Sequence, residues 1–555
     1  MKQAKKFISI LLATIMTLSV FAAMPMTVSA ATATEGWGAD PDDGIFYINN
    51  ENDMLAFNVN AAANGNYKDK VVKLTADIDM QGIKWSAFQR FEGTLDGQGH
   101  SIKNLSYSQG SAVIGIFRYI TDVTIKNISF INCTVNDTAK KGRVGIIAGG
   151  TPYQEAVSDV YFENVYVNGT ITGGGTKQGG FVGGTQSSNT TYHFTNCVSD
   201  VTLTGKAASG FVGDVEIDTT VEMTDCVFLG NNMPELAVVS AFSGFTGADM
   251  RLERCISLGK PGAGSTPSYS YSGNFLYLDH ENALKHGNEA TIELIDCYTV
   301  YSQGNMIGVS VSASTTDTAY RGNGYDVTIT YDGQKVYEHK DSEITTLSKE
   351  NGTYAKCAEM NAAFRAIGTA DGATLTAENF SKVCPALASS GKWAVTTETV
   401  EYAAGKNIVK ILPASVAHMI NAPIKEAPNA TEYLQVRTTS AGYDIQFTGA
   451  VNVDDLNDYA SVGFDVVVKI QDGATLMTET VKTQSVYTSI VADGADVSAS
   501  TLGADYLNVL QIKGFKSGNV YEISILSFAE KADGTVVYDY NGALNVTVQN
   551  GALVD

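Results

Sequence analysis

Three short stretches decide the fold: "HFTNCVS" (His193–Ser199), "EMTDCVF" (Glu222–Phe228) and "RLERCIS" (Arg251–Ser257). Their cysteines, Cys197, Cys226 and Cys255, are spaced 29 residues apart, twice in succession. Further copies are "SFINCTV" around Cys133 and "ELIDCYT" around Cys297; "YFENVYV" carries Val165 in place of the cysteine. An apolar residue stands three positions before each, and most have Asn or Asp one position before. A second series runs between them: "GIF" at Gly115, "GII" at Gly145, "GFV" at Gly180 and Gly210, then "AFS" at Ala241, "NFL" at Asn274 and "NMI" at Asn305.

A fixed period of about 30 residues signals units that stack. Each period holds short alternating strands divided by Gly, Asn, Asp, Thr and Lys, and lacks the longer 3.6-residue periodicity of a helical repeat. The expectation is one β-helical coil per repeat, an all-β solenoid with like positions ~4.8 Å apart. The cysteines then form an inward column. Stacked side chains point the same way, whereas a disulfide needs facing Cβ vectors, so free buried thiols are expected.

The ends of such a stack need covers. Glu51–Ala63, with Met54, Leu55, Phe57 and Val59, reads as a helix over the first coil. Ala355–Gly368, with Cys357, Met360, Phe364 and Ile367 on one face, reads as part of the closing region. The expected organisation is a leader over 1–30, an N-terminal segment and capping helix over 31–70, the repeats over 71–345, a closing region over 346–422, and a compact antiparallel β-sandwich over 423–555. The last boundary rests on Pro423 and Pro428, followed by cysteine-free alternating runs such as "YDIQFTGAV".

The first 30 residues carry Lys2, Lys5 and Lys6, an apolar run and Val28-Ser29-Ala30, the pattern of a secretory signal peptide cut after Ala30. No other segment is long and apolar enough to span a membrane. The formal charge of −22 repels nucleic acid and anionic membranes, so neither is an expected partner. An extracellular glycan or protein is.

"VVKLTADIDMQGIKW" (Val71–Trp85), "FEGTLDGQGHSIKNLS" (Phe91–Ser106) and "GIFRYITDVTIKNISFINCTV" (Gly115–Val135) resemble the opening units of secreted bacterial proteins built from glycine-rich GLUG repeats. "GGFVGG" and "SGFVGD" resemble their Gly-aromatic-Val-Gly core. The resemblance covers roughly Ile45 to Val309. It implies a right-handed parallel β-helix of the pectin-lyase-like kind, as in adhesin-like surface proteins of Gram-positive, Firmicutes-like bacteria. It implies no fixed activity. Such repeats also accompany the protease unit of immunoglobulin A-cleaving metallopeptidases.

Candidate chemistry is sparse. A zincin needs two imidazoles one helical turn apart, whereas "HENALKH" sets His280 and His286 six positions apart. Asp279, His280 and Glu281 form the densest ionisable group in the repeats, within the long interval between Cys255 and Cys297. Tyr269, Tyr271 and Tyr277 in "PSYSYSGNFLYLDH" offer rings for a glycan or protein contact. Asp214, Glu216 and Asp218 alternate as an outward acidic patch. "DPDDG" (Asp40–Gly44) and "VDDLND" (Val453–Asp458) cluster oxygens without completing a calcium loop. Calcium stays open there, and no cofactor is expected. In "FEGTLDGQGHSIKNL", Glu92, Asp96 and His100 read as the turn that opens the stack and not as an acid–base set. The expected role is non-enzymatic binding or adhesion to a glycan, a host protein or a cell-wall polymer. A polysaccharide-active β-helix enzyme, lyase or glycoside hydrolase, is the first alternative, and a structural envelope component the second. Convergent carboxylates in a lateral groove would favour the enzyme.

Overall fold

The computed structural model describes residues 37–41, 44–86, 88–138, 142–152, 157–173, 177–185, 189–205, 207–215, 219–232, 238–246, 248–259, 273, 275–278, 290–300, 306–309, 324–345, 351–353, 355–367, 375–376, 379–403, 406–424, 429–439, 442–451, 459–470, 475–483, 488–492, 495–502, 507–531, 536–550 and 552–554. The protein is mostly β, with a large, mostly parallel sheet of 19 strands.

Within that sheet each strand pairs with the one a repeat later. Tyr192 stands beside Val221, Val221 beside Met250, and Met250 beside Ile292. Shorter parallel sheets accompany it: one joins Val113–Ile114, Arg143–Gly145, Lys177–Gly179, Ala207–Ser209 and Val238–Ser240. Others join Phe88–Phe91, Phe117–Ile120 and Ala148–Gly150, and Ser243–Thr246, Leu276–Leu278 and Ile307–Val309. Single bridges from Ala148 to Val182, from Val182 to Val212 and from Val212 to Ser243 link these two sets.

The stretch from Phe91 to Leu105 holds two short strands, Thr94–Asp96 and Ser101–Lys103, joined by a tight turn. Phe91, Leu95, Ile102 and Leu105 are buried. Asp96 Oδ1 accepts from the Gln98 N–H at 3.0 Å, as a short carboxylate does across a tight bend. Its glycines serve different ends. Gly99 has a φ of +87°, whereas a Cβ on Gly97 would run into the Asn127 carbonyl and Ile128. His100 lies 3.5 Å from Asp77 and Glu92 3.8 Å from Arg90, so the three ionisable groups answer to different partners.

Like residues stack through the interior. The Phe181 and Phe211 rings are parallel at 4.9 Å, and Phe211 continues to Phe242 at 5.3 Å. Phe162 and Phe194 form a second stack at 4.9 Å, edge-on to the first. Cys197, Cys226, Cys255 and Cys297 form the predicted column, and all are free and buried. Each thiol points to a carbonyl one repeat earlier: Phe162, Phe194, Met223 and Leu252, at 3.3 to 3.7 Å.

Two alignments need correction. Ile128, not Cys133, stands beside Val165, while Cys133 stands beside Gly169. Asn127 and Asn132, five residues apart in the strand Val123–Asp137, both have positive φ, so the sequence offers two similar corners. Likewise Gly145 stands beside Gly179, so the glycine series slips by one residue before Gly180.

The residue before each column position has positive φ: Asn127, Asn164, Asn196, Asp225, Arg254 and Asp296, at +49° to +55°. Asn and Asp tolerate this left-handed conformation better than most residues. Their side chains also interlock. Asn127 donates to Asp96, Asn164 to Asn127 and Asn196 to Asn164, at 2.9 to 3.2 Å.

Helix Glu51–Val59, capped by the Asn50 side chain, covers one end with Met54, Ala56 and Phe57; Val59 is exposed. At the other end strand Tyr325–Tyr331 turns back through Asp332-Gly333 and pairs antiparallel with Gln334–Lys340. Helix Cys357–Ala363 follows. Its Asn361 Oδ1 accepts the N–H groups of Met306 and Ile307, closing the edge of Ile307–Val309. Met360, Phe364 and Ile367 are buried there.

An antiparallel hairpin, Trp393–Ala403 with Lys406–Pro413, leads to helix Ala414–Met419. From Asn429 onward two five-stranded antiparallel sheets share one core, built by Tyr443, Ile445 and Leu510 from one sheet and Phe464, Val466 and Ile523 from the other.

Candidate functional site

The hairpin lies against the side of the parallel stack. Trp393 is fully buried and its Nε1 donates to Asp225 Oδ1 at 3.2 Å. Asp225, also fully buried, receives Arg254 in a two-pronged pair at 2.7 and 3.0 Å. Ser415 Oγ donates to Asn164 Oδ1 at 2.8 Å. The corner residues of the repeats are thus also the docking points of the closing segment.

Between hairpin and stack lies a cleft of about 520 Å³, lined by Asp200, Leu229, Glu398, Val400, Glu401 and Lys410 among others. Asp200 accepts from the Tyr166 hydroxyl at 2.8 Å and from Asn168 Nδ2 at 3.2 Å. Burial first, then the Asp200 charge, pushes the Tyr166 phenol well up, so it stays a donor. Lys410 pairs with Glu398 at 2.9 Å. Three carboxylates and one ammonium therefore converge, with an acidic excess.

Asp200 also ends a ladder of amides. Asn104 Nδ2 donates to Asp79 at 2.9 Å, and Asn132 Nδ2 to Asn104 at 2.6 Å. The Asn132 N–H donates to Asn168 at 3.1 Å, and Asn168 Nδ2 to Asp200. Beside it run two columns of small polar residues. Ser106, Thr134, Thr170 and Thr202 stand in register, as do Ser108, Asn136 and Thr172. Thr204 sits one residue beyond Leu203, the partner of Ile171. Tyr107, Val135, Ile171 and Leu203 between the columns are buried. The polar side chains are exposed or half-buried, as β alternation requires. These two columns carry no charge.

A different outer face is strongly charged. Tyr161, His193, Glu222, Arg251 and Glu293 stand in register. Tyr161 stacks on the His193 ring at 4.4 Å, and His193 reaches Glu222 at 3.0 Å and Asp159 at 3.3 Å.

Of the residues singled out from sequence, Tyr269, Tyr271, Asp279, His280 and Glu281 lie outside the described residues. Tyr277 does not offer a contact surface: it is 1% exposed, in Leu276–Leu278 beside Ile307–Val309. Asp214 is not part of an outward patch. It is fully buried and paired with Arg143 at 3.4 Å and with Lys177; Glu216 and Asp218 lie outside the described residues, as do Asp42, Asp43 and Val453–Asp458. Among the described residues, no group of three or more His, Cys, Asp or Glu is placed to hold a metal, and no helix is long and apolar enough to cross a membrane. The cleft and the hydroxyl columns were missed. The S-Y-S, T-V-N, T-I-T and T-L-T triplets from Ser106 to Thr204 were the available signal for the columns; Asp200 and Glu398 are too far apart in sequence to have given one for the cleft.

No family model matches the chain. An alignment 150 positions long, covering 23% of the chain, is 31% identical to Halomucin of Haloquadratum walsbyi and spans about 1% of that protein's length. Among solved structures, a proposed immunoglobulin A1 protease of Bacteroides ovatus aligns with 67% of this chain and 94% of its own, at 17% identity and a TM-score of 0.32.

Proposed function

We propose that the parallel strands wind as a right-handed β-helix of GLUG-type repeats, that the last two sheets form a β-sandwich, and that the protein is secreted and displayed at a bacterial cell surface. Its role in this reading is non-enzymatic binding to an extracellular glycan, host protein or cell-wall polymer. The observation that carries it is the in-register face of amides and hydroxyls from Ser106 to Thr204, which ends at the Asp200 cleft. Such a face offers repeated donors and acceptors on a rigid element and supplies no proton-transfer pair. The test is a screen of the purified chain on glycan and host-protein arrays, with a product assay on each glycan hit. Retention without product is expected. Release of shortened glycan would sink the non-enzymatic reading.

The second reading is a polysaccharide-active enzyme. The convergence of Asp200, Glu398 and Glu401 beside Lys410 favours it, because glycoside cleavage needs two nearby carboxyls. Glu401→Gln and Asp200→Asn would then each abolish product formation while retention persisted.

A further inference from the structure

We infer that the two uncharged columns are a docking track for a neutral polysaccharide laid along the stacking direction, one sugar unit per repeat. The inference rests on the binding function proposed above and names its ligand class and its surface.

Three observations support it. The hydroxyls of Ser106, Thr134, Thr170 and Thr202 stand in one column in four successive repeats. None of these hydroxyls has a hydrogen-bond partner among the described residues, and Ser106 and Thr134 are exposed while Thr170 and Thr202 are half-buried. In the neighbouring column Thr172 and Thr204 do donate, Thr172 to Asn136 Oδ1 at 3.3 Å or to the Val135 carbonyl at 3.5 Å and Thr204 to the Ile171 carbonyl at 3.3 Å, which leaves their oxygen lone pairs as acceptors. The first column can donate freely, and Thr172 and Thr204 of the second are biased to accept. A sugar hydroxyl does both, so a row of sugars can bridge the two columns.

Spacing selects a polymer. Repeats are ~4.8 Å apart and alternate residues in one strand ~6.6 Å apart. The advance per sugar in an extended pyranose chain is close to the first of these distances. A repeating ligand can therefore meet equivalent groups in each repeat, where a globular protein surface would match only by accident.

Charge selects against acidic polymers. The columns are neutral, and the amide ladder beside them ends in Asp79 at one side and Asp200 at the other. The whole chain carries −22. A polyuronate would meet repulsion along its length and at both ends. The track opens at Asp200 onto the cleft, where Glu398, Glu401 and Lys410 can hydrogen-bond a chain end.

The test is retention of the purified chain on cellulose, xylan and β-1,3-glucan, against polygalacturonate and alginate. Retention on at least one neutral polymer is expected, unchanged by added salt and absent on the acidic ones. Thr170→Val with Thr202→Val removes two partnerless hydroxyls and keeps β-branched side chains. At roughly fivefold per lost hydrogen bond, retention should fall about 20-fold or more. Circular dichroism and the melting temperature should match the parent chain. A double variant that folds and binds a neutral polymer as well as the parent overturns the track while leaving the binding function standing. So does retention on the acidic polymers alone. Failure on every polymer and on both arrays overturns the two together.

Discussion

Arg254 Nε donates to Asp225 Oδ1 over 2.7 Å, and the Asp225 side chain has no exposed surface. Trp393 adds an indole N–H, and Lys392 stands 3.8 Å away. This pairing holds the closing hairpin to the stack. Arg254→Met leaves the buried carboxylate with the indole and a half-exposed ammonium. Removing one partner of a buried pair costs about 3–5 kcal/mol. A drop of several degrees in melting temperature is expected, and an unchanged melting curve would contradict the assignment. Trp393→Phe should lower stability less, since it removes one neutral donor.

Asn164 is the node of the corner ladder. It donates to Asn127, accepts from Asn196 and Ser415, and has a φ of +53°. Asn164→Gly keeps the backbone conformation and loses the hydrogen bonds. Asn164→Val loses both and adds a left-handed penalty of about 1–2 kcal/mol. The expected order of thermal stability is Asn, then Gly, then Val. A Val variant as stable as the Gly variant would remove the backbone argument.

The thiols supply a chemical test. Burial pushes the Cys133 thiol up to about 12 and those of Cys226, Cys255 and Cys297 well above their ordinary value. Thiolate is the nucleophile, so alkylation of the folded chain near neutral pH should spare these residues and begin at the half-buried Cys357. In denaturant all seven should react. A disulfide between column cysteines under non-reducing mass spectrometry would contradict the free-thiol column. Cys226→Val should cost under about 1.5 kcal/mol, because the column already accepts Val165.

Acid should weaken the fold in a defined sense. The Asn104 amide and the Gln81 N–H hold the Asp79 carboxyl below its ordinary range. Burial opposes ionisation of Glu253, but Arg251 and Arg254 outweigh it and lower it too. The same balance, with Lys103 and Ser101 as partners, lowers Asp77. A folded-state value below the unfolded one adds stability above the unfolded value, about 4 for these groups. That stability is lost as pH falls through the folded value. Asp296, raised by burial, acts in the opposite direction. Melting temperature should fall from about pH 5 downward. Lys103→Met should flatten the slope by removing the partner of Asp77; an unchanged slope would contradict the Asp77 contribution.

The sequence made the repeat legible because a buried position, once small and apolar, recurs at the spacing of the turns around it. Cys197, Cys226, Cys255 and Cys297 are such a set. It misled at Cys133 because Asn127 and Asn132 make two left-handed corners within one strand, and pattern alone does not rank them. It misjudged Tyr277 because the outer side of Leu276–Leu278 is covered as well as the inner, which alternation does not report. The cleft was out of reach for another reason. Asp200 and Glu398 meet only because Asp225, Arg254 and Trp393 dock the hairpin. Contacts between distant segments leave no local periodicity to read.

The antiparallel hairpin at the end of the large sheet has a consequence for the protein in bulk. A parallel stack is open-ended by construction, and a bare last strand would accept the first strand of another molecule and so on into a filament. Here the last parallel strand is already paired with Gln334–Lys340, running the opposite way and carrying Lys335, Glu338, His339 and Lys340. A reversed, charged final strand is a poor template for end-to-end growth. The last parallel edge of the large sheet is thereby covered from within the same chain.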